Sequence, residues 1–420
     1  MYDLLVEGGM LVEGAALQPR TLAVKDGKVA ALLHPDQRAD SKQTIAVRGC
    51  IVLPGLVDAH VHFREPGLTH KEDFESGSRA AALGGVTTVM VMPTDSPMTQ
   101  TAAQFADKRR LAEGRCRVDF ALQALLGPDL SHVQALAEAG AVSFEIFLGL
   151  LGAGQKIDDD QTLVAALKKV REVGAVAGMT AFEKSEAAGM ARLLAAHRKA
   201  GGRIHLRQVS AAESLPLLGA DGVTSEVTPH NLLLTEETFR KLGAVAKVIP
   251  PLRTSADVQA LQAALAGGKI NMVATDHAPH TPQEKDLPLE KVPGGFPGVQ
   301  TMLPLLLRLR ADGVLDYQRL IEVACEAPAR VFGLFPQKGA LNPGSDADFV
   351  VLDPARPMQI RNADQASKAG RTPFDGWTAP ATPVMTFLRG EMIAREGKVV
   401  GEPRGRFLAY TSSIKREVMP

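Results

Sequence analysis

Residues 51–62 read Ile51-Val52-Leu53-Pro54-Gly55-Leu56-Val57-Asp58-Ala59-His60-Val61-His62. The apolar run from Ile51 to Val57 has the composition of a buried strand, and residues two apart on extended chain face the same way. His60 and His62 therefore aim two imidazoles into one space. A distant segment has the same form: Ile270 to Ala274 is apolar, and Thr275-Asp276-His277-Ala278-Pro279-His280 follows it. A lone His-x-His is often accidental. An Asp at the end of a second strand changes that, because its carboxylate completes a ligand set for a divalent ion.

Working outward, strand and helix signals alternate. Gly85 to Met92 is β-branched and apolar; Ala102 to Glu113 is helical in composition. Arg117 to Leu125 returns to strand, Leu130 to Ala139 to helix, and Val142 to Leu148 to strand. Leu163 to Val173 carries apolar residues at helical spacing, with Gly174 as a stop before the strand from Ala175. The pattern runs on through helices at Ala187 to Ala200 and Ala256 to Ala266, and strands at Ile204 to Val209 and Val223 to Val227. Repeated strand-then-helix units with short loops predict parallel strands with right-handed crossovers. Polar residues recur at the strand ends, which favours a (β/α)₈ barrel over an open sheet, since a barrel brings those ends to one mouth.

The two chain ends differ from the middle. Residues 1–50 hold short alternating segments, with a hairpin signal at Asp26-Gly27. Similar segments recur at Asp348 to Leu352, Pro383 to Ile393 and Gly397 to Val400, with a polar loop at Arg361 to Pro373. The expectation is a discontinuous small β-sandwich domain from residues 1–52 and 336–420, beside a barrel at 53–335. Separate end domains are the alternative.

Bulk properties narrow the function. Lys plus Arg and Asp plus Glu both total 47 in 420 residues, so nothing favours nucleic acid or an anionic membrane surface. There is no run of 18 apolar residues and no signal-like N-terminus. Cys50, Cys116 and Cys325 lack metal-ligand spacing and read as small buried hydrophobes of a reducing compartment, which suggests the cytoplasm.

Several blocks together resemble the amidohydrolase superfamily, and within it the dihydroorotase branch of the cyclic amidohydrolases. They are VLPGLVDAHVHFREPG at 52–67, GGVTTVMVMP at 84–93, VTSEVTPHNLLLTEE at 223–237, ATDHAPHTPQEK at 274–285, GALNPGSDADFVVLD at 339–353 and TPFDGW at 372–377. The resemblance implies a metal held by His60, His62 and Asp276, with Asp276 also carrying a proton from the attacking water to the leaving nitrogen. It places a further ligand at Glu145. Arg64 and His280 would clasp a substrate carboxylate, Thr94 stands where the family has a substrate-contacting Asn, and Pro293 and Gly294 belong to a pocket-lining loop.

Two second-metal histidines of the family are absent. Only Met179 and Thr180 lie near one position, and Gln208 occupies the other. His205, three residues before Gln208, reads as a core histidine, and His132 and His197 as surface residues on helices. One zinc ion per chain is expected, and zinc lowers the pKa of a bound water to about 7. Two functions stay open. One is hydrolysis of a cyclic amide or ureide bearing a carboxylate, as in dihydroorotate to N-carbamoyl-aspartate in pyrimidine biosynthesis, by a homo-oligomer. The other is an impaired dihydroorotase-like scaffold that partners aspartate transcarbamoylase.

Overall fold

The structure, a computed structural model, describes residues 1–410 apart from 15, 150, 153 and 182–184. Strands from both chain ends make one nine-stranded sheet. Its order runs Lys398–Val399, Glu391–Arg395, Thr382–Leu388, Phe349–Asp353, Ile51–Pro54, Tyr2–Glu13, Ala16–Lys25 and Lys28–Leu33, with Ser41–Ala46 paired to Tyr2–Glu13 off this path. Asp26-Gly27 forms the two-residue turn between Ala16–Lys25 and Lys28–Leu33, with φ of 51° and 75°. Both residues sit in the left-handed region that such a tight hairpin turn requires. A similar turn at Arg389-Gly390 splits Pro383 to Ile393, expected as one strand, into a hairpin.

The apolar run at Ile51 is also two strands. Ile51–Pro54 pairs with Phe349–Asp353 in the nine-stranded sheet, and the chain then passes at Gly55 into a second, parallel assembly. A Cβ at Gly55 would stand 2.1 Å from Thr87 Oγ1, so only glycine lets the two units approach so closely there.

The parallel strands are β1 (Leu56–Val61), β2 (Val86–Val91), β3 (Asp119–Leu122), β4 (Ser143–Leu148), β5 (Val176–Ala181), β6 (Arg203–Leu206), β7 (Val223–Val227) and β8 (Met272–Val273). β1, β2 and β3 pair in sequence, and Ala124–Leu125, just beyond β3, begins a second run through β4 to β8. Leu122 O accepts from Val142 N at 3.1 Å, linking the runs on one side. On the other, Val61 bridges His277 in parallel and His62 N donates to His277 O at 2.8 Å. Intervening helices carry capping side chains where the sequence offers them: Thr101 for Ala102–Ala112, Asp159 for Asp160–Glu172, Ser185 for Glu186–Ala200 and Thr254 for Ser255–Ala266.

The strands are buried along nearly their whole length, as fits parallel strands covered on both faces. His197, expected on the surface, is packed in, because it lies on the inward face of Glu186–Ala200, with Nε2 3.3 Å from Gly202 O. Residues 405–410 leave the nine-stranded sheet: Phe120 N donates to Arg406 O and Leu408 N to Phe120 O, so this stretch runs along β3. The stretch from Arg361 to Pro373 crosses the loops after β1 and β8. Lys368 Nζ donates to Thr69 O at 2.6 Å, and Arg371 Nη1 to Asp286 Oδ1 at 2.6 Å.

Candidate active site

Three expected residues converge at the C-terminal ends of the parallel strands. His62 Nε2 lies 3.0 Å and His60 Nε2 3.3 Å from the same oxygen, Asp276 Oδ1. The two imidazoles stand 5.3 Å apart by their centres. One ligand atom from each residue falls within 4.8 Å of the others. Asp58 ties the two strand ends together: it accepts from Thr275 N at 3.0 Å, Thr275 Oγ1 at 2.5 Å and His60 N at 3.3 Å. Burial pushes the Asp58 carboxyl up to about 6, against those hydrogen bonds.

The other ring nitrogens have partners of their own. His60 Nδ1 is 2.5 Å from Glu226 Oε1, and His62 Nδ1 is 2.7 Å from Thr94 Oγ1. A carboxylate only accepts, so His60 carries a proton on Nδ1; the Thr94 hydroxyl can accept from His62 Nδ1, and the Nε2 atoms of both rings face Asp276 Oδ1, where a bound cation would displace any proton they carry. With Nε2 deprotonated, the two imidazoles and the one carboxylate oxygen would form a donor set suited to a borderline divalent cation such as zinc. In the bare protein, burial drives His62 down to about 3. Burial also opposes the charge on Asp276, yet His60 and then His62 outweigh it and hold the carboxyl below its ordinary value.

Gln208 sits with φ of 52° at the end of β6 and donates from Nε2 to Asp276 Oδ2 at 2.5 Å. An amide thus holds the second oxygen of Asp276, in the position where the sequence comparison placed a ligand histidine.

Glu145 is not brought to this group. Its oxygens accept from Arg207 Nε at 3.1 Å, Arg207 Nη2 at 2.8 Å and Ser143 Oγ at 2.7 Å. A fully buried carboxylate takes the strongest partner within reach, and here that is a guanidinium fork. Thr94 is likewise engaged with His62. His205 is a core residue, its nitrogens 2.9 Å from Thr224 Oγ1 and 3.0 Å from Glu226 Oε2.

Arg64 has φ of 60° and donates from Nε to Pro279 O at 3.3 Å. Its Nη2 is 3.4 Å from His280 Nε2, but that nitrogen is closer to Gly294 O, at 3.1 Å, to which it donates. Among the described residues no carboxylate forms an ion pair with Arg64. Lys71 Nζ stands 3.4 Å from His280 Nδ1 and pairs with Glu284 at 2.7 Å. Pro293 O accepts from Lys285 Nζ at 3.1 Å, and Gly294 packs where a Cβ would be 2.8 Å from Ile249 Cγ1. The Pro293-Gly294 loop therefore abuts His280.

A second acidic group, Asp119, Asp346 and Asp348, is filled by the Lys338 ammonium, 2.8 Å from both Asp346 and Asp348 and also paired with Asp119. Sequence reading passed over Arg207 and Glu226. The available signal was a charged residue inside each of two short segments read as buried strands, a placement that demands a buried partner.

Residues 51–393 match the amidohydrolase family. A dihydroorotase of Methanothermobacter thermautotrophicus is 35% identical, with 97% of each chain covered. An allantoinase of Bacillus velezensis is 33% identical over 94% of this chain and 95% of its own. Among solved structures, the L-hydantoinase of Arthrobacter aurescens superposes with a TM-score of 0.93 at 30% identity, covering 97% of this chain and all of that one. With its strand-end histidines and aspartate inside the matched region, the chain belongs to the amidohydrolase family, among relatives that act on cyclic amides.

Proposed function

We propose that this chain hydrolyses a cyclic amide carrying a carboxylate beside the scissile bond, as dihydroorotase does in forming N-carbamoyl-aspartate. The single observation that carries this reading is Arg64: a half-buried guanidinium without an ion-pair partner among the described residues, close to the His60, His62 and Asp276 group. A substrate carboxylate would supply the missing anion, and His280 and the Gly294 loop would bound that end of the pocket. A neutral ring leaves Arg64 uncompensated.

One zinc ion is proposed, held by His60, His62 and Asp276. When bound, it would supply Lewis acidity, polarising the amide carbonyl and lowering the pKa of water. The chain's own residues do the rest. Asp276 is the proton carrier: Gln208 fixes its Oδ2, so the carboxylate is held in one orientation with Oδ1 toward His60 and His62. Thr94 serves as the orienting partner of His62 and not as a ring contact. The two parallel runs are read as one closed (β/α)₈ barrel with this site at its mouth. Pyrimidine biosynthesis, a cytoplasmic setting and assembly with a second copy or with aspartate transcarbamoylase complete the reading, and light scattering with and without that enzyme tests the assembly.

The deciding experiment pairs metal analysis of protein saturated with zinc and desalted with hydrolysis assays on dihydroorotate, hydantoin and allantoin. One zinc per chain and a preference for dihydroorotate are expected. Equal or better turnover of the neutral rings would overturn the carboxylate assignment.

A further inference from the structure

Strand β7 reads Val-Thr-Ser-Glu-Val, and its Glu226 is fully buried. A lone carboxylate there would cost several kcal/mol, so its partners reveal what it is for. Oε1 takes the Nδ1 proton of His60 at 2.5 Å. Oε2 is shared by His205 Nε2 at 3.0 Å and Arg207 Nη1 at 2.8 Å.

Arg207 is itself saturated. Its Nη1 also donates to Ala59 O at 3.1 Å, its Nη2 to Gln123 Oε1 and Glu145 Oε1, and its Nε to Glu145 Oε2. The guanidinium lies over the Phe332 ring at 5.3 Å. Arg207 thus grips the end of β1 twice, through the Ala59 carbonyl and through Glu226 on His60.

The charges point the same way. Glu145 and Glu226 are two anions against one guanidinium, so the cluster carries a net negative charge behind His60. Thr94, behind His62, is neutral. Hydrogen bonding to an anion makes an imidazole a better donor at its other nitrogen.

We propose that Glu226, held by Arg207, is a positioning residue that fixes His60 as the dominant ligand of a single metal ion. The inference rests on the metal reading of the site given above. Arg207 occupies the space between β4, β6 and β7 with a fixed cation, so Glu145 and Glu226 serve that cation and not a second ion.

The test measures zinc affinity of the full chain by competition with a chromophoric chelator. Glu226→Gln should weaken zinc binding by about 10- to 100-fold. Glu145→Gln, which touches Arg207 but not His60, should change it less than about threefold by the same reasoning. The visible spectrum of the cobalt(II) form should shift in Glu226→Gln and not in Glu145→Gln. Equal losses in both variants, or none in Glu226→Gln, would overturn the relay. If the wild-type chain takes up no zinc, the metal reading fails, and the relay is then judged on the imidazole alone. Nitrogen-15 spectra of the wild type should show His60 protonated at Nδ1, and the opposite tautomer overturns the proposal, whether or not the variants fold.

Discussion

Replacing Arg64 with Met separates binding from stability in a way few site residues allow. The side chain keeps its bulk but loses the charge. In the free protein, Arg64 makes one long hydrogen bond, 3.3 Å to Pro279 O, and no ion pair among the described residues. Burial pulls its pKa down, although Asp276 and more distant carboxylates counter this. Removing an incompletely partnered, half-buried charge should leave stability unchanged or slightly raised, in contrast to the 3–5 kcal/mol typical of breaking a buried ion pair. Substrate binding should respond in the opposite sense. Charge-assisted hydrogen bonds to a carboxylate are worth about 1.5–3 kcal/mol, so kcat/KM for dihydroorotate should fall roughly ten- to a hundredfold. Hydantoin, with no carboxylate, should lose little. The assay is kcat/KM for both rings, alongside a urea melt of wild type and variant. Equal losses on the two rings would refute the reasoning, as would a stability drop of ion-pair size, which would make Arg64 structural.

Lys108 Nζ is fully buried, paired with Asp95 and donating to Met92 O at 2.6 Å, so Lys108→Met should cost about 3–5 kcal/mol in chemical denaturation. A Lys108→Met/Asp95→Leu double variant should recover most of that loss; no recovery would mean the cost lies in packing. A Cβ at Gly178 would meet both Glu145 oxygens at 2.2 Å, so Gly178→Ala should push Glu145 off Arg207 and destabilise the fold by about 1–3 kcal/mol; an unchanged denaturation midpoint would show that the carboxylate moves freely. Burial holds His230 at about 4, from an ordinary 6.5, against the attraction of Asp276. Its stabilising contribution is present above pH 6.5 and is lost as pH falls through 4, amounting to about 3 kcal/mol. Measured on metal-free protein, His230→Asn should therefore show a shallower loss of stability than wild type over that range, and parallel curves would contradict the depressed value.

Alternation of apolar strands with amphipathic helices made the parallel α/β middle legible, because each periodicity is local and survives without tertiary context. The same holds for the turn at Asp26-Gly27 and for His60, His62 and Asp276, whose strand-end positions follow from two-residue spacing. Partner choice did not follow. Glu145 stands in register with Gly178 on β5, but nothing in its own segment says that Arg207, 62 residues away, would claim it. Thr94 read as a substrate contact until folding set its hydroxyl against His62, and Gln208 gained a purpose only once Asp276 lay 2.5 Å from its amide. Charged and polar side chains are selected by whatever complementary group the packed interior brings within about 3 Å, and that distance is a property of the tertiary structure alone.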